Sequence, residues 1–81
     1  MKKGKEMKNR IRVIRAERKL SQAKLAEMVG ISRTALVAIE NEKSVPDGMT
    51  IVRIIHAFKL PAEEIFPEMR LKEGEEGYEN T

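Results

Sequence analysis

Residues 20–42 read Leu-Ser-Gln-Ala-Lys-Leu-Ala-Glu-Met-Val-Gly-Ile-Ser-Arg-Thr-Ala-Leu-Val-Ala-Ile-Glu-Asn-Glu, and the pattern predicts two short helices. Ser21 precedes Leu25, Ala26 and Val29, which share one helical face. Its hydroxyl is placed to accept a bond from an unpaired N–H of the first turn. Gly30 stands where that helix must end, and glycine enters the left-handed conformation of such exits at no steric cost. Ser32 then caps a second helix whose inner face is Leu36 and Ile39. Ala26 is small where the two helices would cross, so their backbones can approach closely.

Two short helices joined at a glycine make a helix-turn-helix unit. Leu25, Val29, Ile31, Leu36 and Ile39 fall on its inner side; Gln22, Lys24, Arg33, Thr34, Val37 and Ala38 fall outside. A helix that leaves short and polar residues outward at its N-terminal end can lie in a DNA major groove. The competing reading, an ordinary helical hairpin in another bundle, would not require this full set of residues.

The stretch LSQAKLAEMVGISRTALVAIENEK resembles the DNA-binding domains of the phage repressor and Cro family, also called the XRE family. The Leu-Ser-Gln-x-x-Leu-Ala start, the turn glycine and the Ile-Glu end match in register, and the resemblance runs from about Lys8 to Phe66. It implies an all-α, compact five-helix domain. It also implies that Arg15, on the inner side of helix 1, joins Glu40 at the end of helix 3 in a structural ion pair. Such a pair is geometrically specific. Glu42 departs from the family, which usually has glycine after helix 3, so Asn41 or Glu42 must take a positive φ. Asn41 is the more tolerant of the two. Gly48 stands where relatives tend to have leucine, which predicts looser packing there, and Lys59 replaces another common glycine.

Eighty-one residues make one domain with a small core. Without cysteine there is no disulfide framework and no thiolate zinc site, and His56 alone cannot build a metal site. No cofactor is expected. No apolar run is long enough to span a bilayer, and the basic start lacks the apolar stretch of a signal peptide. A cytoplasmic, nucleoid-associated protein is the expectation. Net charge is +3, unevenly spread: residues 1–24 hold ten Lys or Arg against two Glu, whereas residues 60–81 hold two against seven. A basic half beside an acidic tail fits a polyanion-binding surface with the tail held elsewhere, although a solvated basic helix would look the same.

Along the chain, residues 1–7 form a polar, lysine-rich lead read as mobile, and 8–66 form the helical domain. Helix 1 begins near Asn9 and runs to about Lys19, with Ile11 and Ile14 inward. Lys43-Ser-Val-Pro-Asp-Gly is a loop, after which Asp47 or Thr50 caps helix 4, with Ile51, Ile54, Ile55 and Phe58 on its buried side. Pro61 opens a short helix 5 over Ala62–Phe66. Residues 67–81 are an extension. Glu68-Met-Arg-Leu-Lys alternates in polarity, and Met7, Met69 and Leu71 have no obvious core to join. The alternatives are short terminal strands that pair two copies, or a frayed tail; the glutamate-rich residues 73–81 read as disordered.

Phosphates supply most of the affinity for duplex DNA. The N–H groups at the start of helix 2, with the Gln22 side chain, suit a phosphate oxygen. The resemblance places Asn41 and Lys43 against the other strand's backbone, and Arg10 and Lys19, near either end of helix 1, are further phosphate candidates. Base reading falls to helix 3. Arg33 can offer a bidentate bond to guanine, with phosphate as its alternative, and Thr34 can bond a base edge or meet a thymine methyl. Ala35, Val37 and Ala38 suit apolar contact with thymine methyls. A single small module binds weakly, which predicts a homodimer on a near-palindromic site with recognition helices about 34 Å apart. The reading is therefore a transcriptional regulator of double-stranded DNA, a repressor that occludes a promoter, with no small-molecule ligand. A restriction-modification controller or an antitoxin is a near alternative. A protein-interaction or coactivator module is a more distant one, disfavoured by the polar Arg33–Thr34 pair. An enzyme is rejected, because no nucleophile–base pair can be assembled and Ser21 and Ser32 read as caps.

Overall fold

The structure is a computed structural model that describes residues 7–69. It is all-α: α1 (Ile11–Glu17), α2 (Gln22–Val29), α3 (Arg33–Glu40), α4 (Gly48–Phe58) and α5 (Ala62–Ile65), followed by a 3₁₀ turn, Pro67–Met69. No strand occurs among the described residues. Ile11, Ile14, Leu25, Val29, Leu36, Ile54, Phe58, Ile65 and Phe66 are each at most 2% exposed and form one core, closed by Ala26 and Ile39. Each large side chain withdrawn this far from water contributes roughly 1.5–3 kcal/mol. Ile31, Ile51 and Ile55 are half-buried at its margin.

The helix starts follow from three short side chains. The hydroxyls of Ser21 and Ser32 accept from the Lys24 and Ala35 N–H groups at 2.9 and 3.0 Å, and the Asp47 carboxylate accepts from the Thr50 N–H at 2.8 Å. Asp47, not Thr50, is thus the cap of α4. The Thr50 backbone bond, then its side-chain bond, hold the Asp47 carboxyl below its ordinary value. Its stabilisation is therefore present above the ordinary carboxylate range and is lost as pH falls through the lowered folded value. A Cβ added at Gly48 would meet nothing within 4 Å, so the start of α4 is loosely covered.

The ends of α1 to α4 share one device. Lys19, Gly30, Glu42 and Lys59 all lie in the left-handed region, with φ of 55°, 84°, 62° and 58°. After the first three, the next N–H reaches back five residues: Leu20 to the Arg15 carbonyl, Ile31 to Ala26 and Lys43 to Ala38, at 2.9, 3.0 and 2.9 Å. This pairing satisfies carbonyls that a helix end leaves free. It ends α1 at Glu17, two residues before the expected Lys19. It is Glu42, not the more tolerant Asn41 (φ −86°), that takes the positive φ. The Asn41 N–H still bonds the Val37 carbonyl, so Asn41 remains part of the last turn. Glu42→Gly is expected to raise stability by about 1 kcal/mol, a melting temperature some 4–8 °C higher by thermal denaturation.

The end of the chain departs from the strand reading. Glu68 and Met69 lie in the 3₁₀ turn, closed by a Met69 N–H bond to the Phe66 carbonyl at 2.9 Å, beside the fully buried Phe66 side chain. Met7 is half-buried and packs on the core, so it has an internal partner after all. Arg70, Leu71 and Lys72 of the expected strand, residues 1–6 of the lead and the acidic tail lie outside the described residues.

Candidate nucleic-acid interface

Helix α3 presents its first turn to solvent. Arg33 and Thr34 are exposed, Leu36 and Ile39 are buried, and Ala35, Val37 and Ala38 are half-buried rather than fully outward. The Ser32 cap holds the turn, and Gly30 in the left-handed region sets the angle at which α3 leaves α2. The exposed start of α3 is therefore rigid rather than frayed.

Behind it runs a chain of polar contacts centred on Glu40, whose side chain is fully buried. Arg15 donates from Nε to Glu40 Oε2 at 2.6 Å and from Nη2 to Oε1 at 3.4 Å, while its Nη1 donates to the Leu20 carbonyl at 2.8 Å. Gln22 Nε2 donates to Glu40 Oε1 at 3.1 Å. Arg33 in turn donates from Nε and Nη2 to Gln22 Oε1 at 3.4 and 3.3 Å. A carboxylate buried this deeply is tolerable because a guanidinium and an amide both donate to it. The chain ties α1, α2 and α3 together and ends at the exposed Arg33.

The structure therefore brings Arg15, Glu40, Gln22 and Arg33 into one network. Gln22, read as a phosphate ligand, directs one amide N–H inward and its oxygen to Arg33. Gln22 therefore links the buried Glu40 to the exposed Arg33. Asn41 and Lys43 stand exposed beyond the end of α3. Lys19 is exposed at the exit of α1, two residues ahead of the α2 cap. Arg10 lies elsewhere: its N–H bonds the Ile65 carbonyl at 2.8 Å and its guanidinium leans on the Glu64 carbonyl at 3.5 Å, beside Glu63 and Pro67. The reason is local, since the residue ahead of α1 is held to α5 by its backbone.

Two contacts of this region are absent from the sequence reading, the bond of Asn9 to α3 and the whole part of Arg12. Asn9 accepts from the Ile11 N–H at 3.0 Å and donates to the Ile39 carbonyl at 2.8 Å, so it starts α1 and covers the end of α3 at once. Arg12 donates to the Asn41 side-chain oxygen and sits 3.9 Å from Glu40. A signal existed for Arg12: it lies three residues before Arg15, on the same face of α1.

The pattern of the helix-turn-helix domain family matches residues 9–68. The chain belongs to the XRE-type helix-turn-helix family. That family is a class of DNA-binding transcriptional regulators, not a class of enzymes. An uncharacterized HTH-type transcriptional regulator of Bacillus subtilis is 38% identical over 60 residues, 74% of this chain and 91% of its own length. The immunity repressor protein of Bacillus phage phi105 is 35% identical over 72 residues, 89% of this chain but 50% of the repressor. Among solved structures, the P22 c2 repressor in complex with a synthetic operator superposes with a TM-score of 0.64 at 31% identity, covering 67% of this chain and 82% of that one. Within this family the helix-turn-helix is α2–α3. No described helix is long and apolar enough to cross a membrane, and no metal-holding cluster occurs among the described residues.

Proposed function

We propose that this chain is a sequence-specific transcriptional regulator that places α3 in the major groove of duplex DNA and represses by occluding a promoter. One observation carries the reading. The capped, exposed first turn of α3 begins with Arg33 and Thr34, and Arg33 is held by Gln22, which Glu40 holds in turn. An exposed arginine held in place by a neighbouring amide suits base edges, and a bidentate arginine–guanine pair discriminates best. Val37 and Ala38 follow along the same helix and suit thymine methyls. Asn41, Lys43, Lys19 and the spare N–H of Gln22 hold phosphates and set the register without reading sequence. Arg10, leaning on α5, is the weakest of the phosphate candidates.

The protein acts as a homodimer on a near-palindrome, because one module of this size offers too few phosphate contacts for tight binding. That the P22 c2 repressor was solved with an operator supports the comparison. Selection of bound sites from a random duplex library tests the reading. Two half-sites about 10 base pairs apart are expected. Against the selected site, Arg33→Ala is expected to cost roughly 1–3 kcal/mol and relax preference at one base pair, whereas Lys43→Ala weakens all sequences alike. An equal loss on every sequence for Arg33→Ala would return Arg33 to the phosphate-binding residues. Selection that enriches nothing would favour a coactivator or protein-interaction module.

A further inference from the structure

Arg12 extends from α1 to the end of α3 with 61% of its side chain exposed. Its Nη2 donates to the side-chain oxygen of Asn41, and its Nε stands 3.9 Å from Glu40 Oε1. Glu40 is already held by Arg15 at 2.6 Å. Two guanidiniums around one carboxylate leave one positive charge over, and Arg12 carries it at the surface.

That charge lies where a helix would otherwise repel an anion. The last carbonyls of α3 carry a negative partial charge. Asn9 covers one of them, at Ile39, and Arg12 places a cation beside the Glu40 and Asn41 side chains. Asn41 adds a second consideration. Its amide has one accepting oxygen and a donating NH₂, whereas a guanidinium can only donate. The bond from Arg12 therefore fixes which end of Asn41 faces inward, and the NH₂ is the end left to face solvent. A phosphate oxygen accepts hydrogen bonds, so this is the orientation it needs.

We propose that Arg12 and Asn41 form a single phosphate clamp bridging α1 and the end of α3, in which Arg12 both supplies charge and orients the Asn41 amide. The clamp deepens the DNA-binding reading and rests on it. It assigns α1 a direct part in holding the duplex, through a residue other than Arg10.

The test is a double-mutant cycle read across a salt series. Wild type, Arg12→Met, Asn41→Ala and the double variant are titrated with the selected duplex and with a scrambled one, and melting temperatures confirm folding. Loss of one phosphate contact is expected to lower the slope of log affinity against log salt by about 1 for Arg12→Met. The loss should be equal on both duplexes. Because Asn41 relies on Arg12 for its orientation, the double variant should lose clearly less than the product of the two single losses. Should Arg12→Met melt early, Arg12→Gln, which keeps a polar partner for Asn41 but no charge, reads the same fall in slope. An unchanged slope with affinity within about twofold of wild type overturns the proposal, as do losses that simply multiply. Wild type that binds neither duplex at low salt overturns the DNA-binding reading, and the clamp with it.

Discussion

Glu40→Ala is expected to lower stability by roughly 3–5 kcal/mol, the cost of leaving a partly buried cation without its counter-charge. The Arg15 side chain is 15% exposed, so it cannot recover full hydration in place, and Gln22 loses the acceptor of its inward N–H. A domain of this size holds about 4–12 kcal/mol in total. The variant should therefore melt tens of degrees lower and stand partly unfolded at 37 °C, as read by circular dichroism. Replacing both partners with apolar residues, Arg15→Met with Glu40→Leu, separates folding from function. Stability should largely return, because two well-packed apolar side chains match a buried ion pair. Duplex affinity should not return, because Gln22 and Arg33 would lose the support that aims them. A loss below about 1 kcal/mol for Glu40→Ala would show that water screens the pair, and the support of Arg33 through Gln22 would fall with it.

Phe58→Ala is expected to cost a similar 3–5 kcal/mol through lost burial and the cavity left behind. Phe58 is fully buried at the last turn of α4. Its ring lies 5.3 Å from the Arg18 guanidinium, and its carbonyl accepts from Arg18 Nη1 at 2.7 Å. Removal of the ring thus loosens the seam between α1 and α4 as well as the core. Phe58→Leu keeps most of the volume and should lose clearly less. Chemical denaturation of the three proteins checks this, and equal stability of the alanine and leucine variants would show that the core closes over the gap.

Most of the framework was legible in the chain. Ser21, Ser32 and Asp47 cap helices because each bond spans three residues and depends on little else. The apolar faces of α2 and α3 follow from helical periodicity, and Leu25, Val29, Leu36 and Ile39 are buried as that period requires. The end of α1 is not legible in the same way, because Arg18 and Lys19 are good helix formers, whereas the backbone turns at Lys19. Asn41 was preferred over Glu42 for the positive φ on residue type alone. The Asn41 N–H bond to Val37 and the Lys43 bond back to Ala38 overrode that preference.

The assembly of the site lay outside what residue order can show. Gln22 reads alone as a surface amide, and only folding places it between Glu40 and Arg33, 18 and 11 residues away. Arg12 and Asn41 are 29 residues apart and meet only once α1 crosses the end of α3. By itself the sequence determined the serine-capped starts of α2 and α3 and the apolar faces of both helices, since those depend on neighbours within one or two turns. Tertiary structure decided which polar side chains share a proton or a charge, because such contacts form only after the core has brought distant turns within hydrogen-bond reach.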